Sequence, residues 1–159
     1  MKLYFVRHGL AGDSSEWKGA DFARPLTEEG IAKMKRTAET FGRMELGLEL
    51  ILTSPLVRAY QTAEIVARQF KMLDKLVKDE RLGSGFGIKY LAEILAEHSK
   101  TDALMLVGHE PGMSETVSHL TGGSRVVFKK GALAYVELSD VKSLKGELVW
   151  LIPPKILAL

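Results

Sequence analysis

Cysteine is absent from the 159 residues, which excludes disulfides, thiolate metal sites and cysteine nucleophiles. No repeat, low-complexity tract or Pro/Gly/Ser-rich linker interrupts the chain. Long apolar runs are missing too. The first, Leu3 to Val6, is far too short for a signal-peptide core or a membrane span, so a soluble, cytoplasmic protein is expected. Charge of one sign is not concentrated: the net charge is +2 and no basic block exceeds Lys129-Lys130, read as a solvated turn, so neither nucleic acid nor membrane is an expected partner. No P-loop occurs. The stretch "GSGFG", Gly83 to Gly87, lacks a third glycine at the dinucleotide-binding offset and reads as a flexible turn. No His/Asp/Glu set has metal-ligand spacing, and neither metal nor cofactor is expected.

What is present is ordinary in amount, 46% apolar and 26% charged, and informative in order. The length suits one domain over residues 1–159, able to bury about 70% of the surface of its unfolded chain. Leu3–Val6 reads as a buried strand. "RPLTEEGIAKMKRTAETFGRM" reads as a helix with Thr27 as N-cap, Glu28 and Glu29 complementing the macrodipole, and Leu26 and Ile31 as a hydrophobic staple. Ile31, Met34, Ala38 and Phe41 form its apolar stripe.

Leu50–Thr53 is a second short strand. It leads into a helix in which Ser54 suits the N-cap and Pro55 the first helical position, with Ala59, Ala63, Val66, Ala67 and Phe70 facing inward. A weak strand near Leu76–Lys78, a helix over Ile88–His98, a strong strand over Ala103–Val107 and a helix from Pro111 come next. The tail predicts a β-hairpin turning at Lys145-Gly146. Continuous apolar strands alternating with amphipathic helices imply an α/β fold, a three-layer α/β/α sandwich whose mainly parallel sheet carries an antiparallel edge hairpin.

Such sheets bind ligands outside the carboxyl ends of their strands. Arg7 and His8 follow the first strand, Arg58 stands in the first turn after the second, and His109 follows the third strong one. A cation in a first helical turn opposes the macrodipole, so Arg58 asks for a reason beyond solubility. With no carboxylate among these positions, the cluster needs an external anion, and phosphate matches the arginine fork bidentately. His98 and His119, in helices away from strand ends, are expected to be structural or exposed. Trp17 and Trp150 read as packing residues, with Trp17 on a loop above the site.

"VRHG", "SPLVRAYQTA" and "LVGHEPG", in that order, resemble the histidine phosphatase superfamily, and "RPLTEEG" with the short length resembles its small bacterial phosphohistidine-phosphatase branch. The likeness runs from Met1 to about Gly123 and is vaguest between Leu73 and Tyr90. It implies a phosphoglycerate mutase-like fold and a metal-independent phosphatase in which His8 is the nucleophile, passing through a phosphohistidine intermediate. It also implies that Arg7, Arg58 and His109 clamp the phosphoryl oxygens. Gly9 would let the backbone turn beneath His8, and Arg24 adds a candidate substrate contact.

Many relatives carry an acidic residue just after the "RL" of this region, where this chain has Gly83 and Ser84. Asp79 and Glu80 precede it and are the remaining candidates for a general acid. Without an acid, an alkoxide leaving group, whose parent resembles water with a pKa of about 15.7, departs poorly. Imidazole, with a pKa of ~6.5, is protonated readily by solvent. The expected substrate is therefore phosphohistidine on another protein, such as a histidine-phosphotransfer domain. A small phosphoester or nucleotide phosphatase or mutase, and a non-catalytic phosphoprotein-binding module, are the alternatives.

Overall fold

The computed structural model describes the whole chain, Met1–Leu159. Six strands form one sheet in the order β3-β2-β4-β1-β5-β6: β1 (Lys2–Arg7), β2 (Leu50–Thr53), β3 (Leu76–Lys78), β4 (Ala103–Gly108), β5 (Leu133–Asp140) and β6 (Lys145–Ile152). The first four pair in parallel, while β5 and β6 run antiparallel, on β1 and on each other. This is the mainly parallel sheet with an edge hairpin that the sequence predicts. The hairpin turns at residues 141–144, so Lys145 and Gly146 begin β6. The predicted turn lies one step too late, because Leu144, not Gly146, takes the positive φ.

Side chains alternate along the buried strands and load both faces. Tyr4, Val6, Ile51, Met105 and Val107 pack with α1 (Glu28–Arg43), α2 (Val57–Gln69) and α5 (Pro154–Leu157). Leu3, Phe5, Leu52, Leu104 and Leu106 pack with α3 (Ile88–Glu97) and α4 (Gly112–Leu120). Three layers result, with an apolar core on each side of the sheet.

α1 begins where its cap dictates: the Gly30 N–H donates to Thr27 Oγ1 at 2.9 Å, and Met34, Ala38 and Phe41 are buried while Ile31 is partly so. α2 departs from expectation. It starts at Val57, and neither Ser54 nor Pro55 belongs to it. Ser54 is fully buried, and its hydroxyl is directed elsewhere.

Register levels the strand ends. Arg7 stands opposite Gly108 and Thr53 opposite Val107. The carboxyl ends of β2, β4 and β1, three adjacent strands, therefore lie side by side, and the next residue of each emerges at the same height. Backbone bonds extend the ladder one step further: the His8 N–H donates to Gly108 O at 3.0 Å, and the Ser54 N–H to Val107 O at 2.9 Å.

Candidate active site

The levelled strand ends bring His8 and His109 together, ring centroids 5.1 Å apart. An open pocket of about 360 Å³ lies over them, lined without any apolar side chain; Arg7, Arg24 and Arg58 line it as well. Of the residues expected to bind phosphate, only Gly9 is not on that wall. It is buried beneath, where an added Cβ would approach Met34 Cγ to 2.6 Å. It packs the loop closely onto α1.

Gly9 nonetheless fixes His8. The Gly9 carbonyl accepts from His8 Nδ1 at 2.8 Å; a carbonyl has no proton to give, so Nδ1 carries the hydrogen and Nε2 keeps its lone pair. The Gly9 N–H donates to Thr62 Oγ1 (3.0 Å), and that hydroxyl donates to Arg58 O (2.8 Å). One turn of α2 thus ties the loop carrying His8 to the backbone of Arg58. Burial, reinforced by His109, Arg58 and Arg7, pulls the His8 pKa down to about 3 despite the opposing bond to Gly9. Burial, followed by Arg58, takes His109 to about 4. Both rings are neutral at pH 7.

Each arginine is held by part of its fork. Arg7 Nη1 donates to Phe128 O at 2.7 Å. Arg58 Nη1 and Nη2 donate to Asp21 O (2.9 Å) and Asp21 Oδ2 (3.0 Å). Arg24 Nε donates to Asp21 Oδ1 (2.9 Å) and its Nη1 to Gly12 O (2.5 Å). Arg7 Nε, Arg58 Nε and His109 Nδ1 are buried with no partner in the protein. Buried donors are normally satisfied, and an anion with several oxygens fits the two guanidinium groups.

Several readings of the sequence change here. The cluster does have carboxylates beside it: Asp21, whose pKa is lowered chiefly by Arg24 and then by Arg58, and Glu110, which lines the pocket. Asp79 is not available as an acid, because it pairs with Arg81 at 2.7 Å, which also pairs with Glu97 at 2.7 Å. Glu80 is exposed and lies outside the pocket walls. Lys130, read as a solvated turn, lines the pocket, and Gly83–Phe86 forms one wall of an adjoining cleft. Trp17 is on the loop before Asp21 but not on the pocket wall; its Nε1 donates to Ala20 O.

Ser54 is the residue the sequence concealed. Its Oγ lies 2.8 Å from His109 Nε2. Standing directly after a strand, it meets the same positional rule as Arg7 and His8, but its fitness as a cap masked the signal. Asp21, an exposed loop carboxylate, gave none. No group of three or more metal-ligating side chains comes together in the chain.

Residues 3–84 match the model of the histidine phosphatase superfamily (branch 1). The chain belongs to this superfamily. It is 26% identical to the phosphohistidine phosphatase SixA of Escherichia coli K12, covering 97% of this chain and 94% of that one. An uncharacterised protein of Picosynechococcus sp. (strain ATCC 27264 / PCC 7002 / PR-6) is 37% identical over 77% of this chain and 74% of its own length. In fold it is similar to the protein histidine phosphatase SixA complexed with tungstate, with TM-score 0.87 and 24% identity over 99% of each chain. Superfamily membership and the SixA-like fold support a phosphatase, acting on a phosphorylated substrate.

Proposed function

We propose that the protein is a metal-independent phosphatase that forms a phosphohistidine on His8 and acts on phosphohistidine carried by another protein. The observation that carries this reading is the His8 ring with Nδ1 held by Gly9 O, set in one pocket with Arg7, Arg58 and His109. In this reading the Nε2 lone pair attacks phosphorus in line and the bond from phosphorus to the leaving nitrogen breaks. The departing imidazole takes a proton from solvent. Water then attacks the phosphorylated His8, Nε2 leaves with its electron pair, and the proton of the water passes to solvent.

Phosphoryl transfer depends on positioning and on spreading charge over the equatorial oxygens. Arg7 and Arg58 supply fixed cationic donors. Ser54 supplies the orientation of His109: its Oγ accepts from the Leu56 N–H at 3.3 Å, and its own proton finds an acceptor in His109 Nε2. That leaves Nδ1 as the N–H of a neutral ring, a donor for a phosphoryl oxygen. Arg24, joined to Arg58 through Asp21, serves as a further contact.

The choice of a P–N bond rests on the acid. Asp79 and Glu80 are not at the pocket, and both oxygens of Glu110 already accept from Ser114, Oε1 from its N–H (3.0 Å) and Oε2 from its hydroxyl (2.6 Å). A leaving group that needs no protein acid suits this arrangement. The presence of Glu110 in the pocket favours an ester substrate, with Glu110 as acid. Initial rates on a phosphohistidine peptide and on sugar phosphates, with wild type and Glu110→Gln, separate the two readings. Faster ester turnover, abolished in Glu110→Gln, would establish the second. Labelled phosphoryl should be trapped on wild type and not on His8→Ala, and excess chelator should leave the rate unchanged.

A further inference from the structure

A second cleft of about 390 Å³ lies beside the phosphate pocket, and the two share Arg58, His109 and Glu110 as lining residues. Beyond those residues the cleft is walled by Gly83–Phe86 on one side and by the start of α4, Pro111, Gly112 and Glu115, on the other. We propose that this cleft receives the leaving group, and that Glu110 and Glu115 make it selective for neutral or cationic leaving groups over anionic ones. The proposal rests on the phosphatase reading given above.

Adjacency and size come first. A group attached to a phosphoryl held by Arg58 and His109 has a walled space directly beside it, in the range of small-ligand pockets. The wall formed by Arg58 is buried, the residue only 6% exposed, and its Nε has no protein partner. The walls are also fixed. A Cβ on Gly112 would sit 2.5 Å from Phe86 O, and one on Gly83 would sit 3.1 Å from Glu80 O. Gly112 of α4 is therefore pressed against the Phe86 backbone without room for a side chain, which holds the two walls together, while Gly85 is glycine because its φ is positive, 87°.

Charge then decides the chemistry. The phosphate pocket carries Arg7, Arg24, Arg58 and Lys130 against Asp13 and Glu110. The cleft beyond the shared residues carries one charged side chain, Glu115, and no lysine or arginine of its own. Glu110 is held at the junction by Ser114. A dianionic phosphoryl finds cations on its own side, whereas a leaving group in the cleft faces two carboxylates. An imidazole on a protein surface, or a lysine or arginine flanking it, is favoured there. A second phosphate or a carboxylate is repelled.

The test uses the exposed Glu115, which takes no part in the clamp. Hydrolysis of three aryl phosphates is compared, the ring carrying an ammonium, a carboxylate or no charge at the far end, with wild type, Glu115→Gln and Glu115→Lys. Comparing enzymes on the same pair of probes cancels their intrinsic reactivities. The ammonium-to-carboxylate ratio of kcat/KM should fall about tenfold from wild type to Glu115→Lys at low salt, by less in Glu115→Gln, and the difference should shrink at high salt. The neutral probe should change by less than about twofold, since it has no charge to feel. An unchanged ratio with all three probes still hydrolysed overturns the cleft assignment and leaves the phosphatase reading intact. Failure of the wild type to form a phosphoenzyme, from the probes or from a phosphohistidine peptide, overturns both.

Discussion

His109 is the side chain whose usefulness depends most on a neighbour it shares no element with. Its Nε2 meets Ser54 Oγ at 2.8 Å, and Ser54 stands at the end of β2 while His109 stands at the end of β4. Replacing Ser54 with alanine removes the partner of a buried ring nitrogen, a loss of about 1–3 kcal/mol, and frees the ring to turn. The expected outcome for Ser54→Ala is a fall in kcat/KM of about tenfold or more, mostly in kcat, with the far-UV spectrum unchanged. Ser54→Thr, which keeps the hydroxyl, should restore much of it. Equal kcat in Ser54→Ala and wild type would show that His109 needs no such support.

At the scale of elements, the loop between β1 and α1 works only because it lies flat on its neighbours. Gly9 faces Met34 on α1, its N–H is held by Thr62 on α2, and its carbonyl holds His8. Gly9→Ala should therefore cost about 1–3 kcal/mol through overpacking and reduce activity by displacing that carbonyl. Urea denaturation and kcat measure the two effects. The double variant Gly9→Ala/Met34→Ala relieves the crowding but opens a cavity. Recovery of kcat in it would locate the defect in the loop position, whereas full kcat in the single variant would remove Gly9 from the mechanism. By contrast, Thr27→Ala strips the N-cap of α1, a loss of about 1 kcal/mol in stability with kcat unaltered.

For the molecule as a whole, a buried and a half-buried histidine, both with lowered pKa, link stability to pH. The folded-state pKa values, about 3 for His8 and about 4 for His109, lie below the unfolded value of roughly 6.5. Between these limits the unfolded chain binds more protons than the native one, so stability is fully present above pH 6.5 and falls as pH drops. The two sites together lose at most about 2.7 kcal/mol per pH unit in that window. Denaturation curves between pH 7 and 4.5 should show this slope in wild type and a flatter one in His8→Asn/His109→Asn. The lowered carboxylates Asp21 and Asp79 add their losses only further down, below their unfolded pKa of about 3.9. Parallel slopes in the two proteins would mean that the rings are not held neutral by the fold.

The sequence by itself determined the strands, the α1 cap, the layer order and the identity of the basic residues at the strand ends, because apolar periodicity and capping chemistry are local. It also placed Arg7, His8, Arg58 and His109 at one edge, since a parallel sheet must deliver all its carboxyl ends there. Only the tertiary structure decided that Ser54 faces His109 instead of capping α2, that Asp21 rather than solvent occupies part of Arg58, and that Asp79 is taken up by Arg81. It decided, too, that Gly83–Phe86 walls a cleft. Most of these are contacts between segments far apart in the chain, and in all of them a hydroxyl, a carboxylate or a loop has several partners of similar worth. Strand register, set by the packing of both faces, chooses among them.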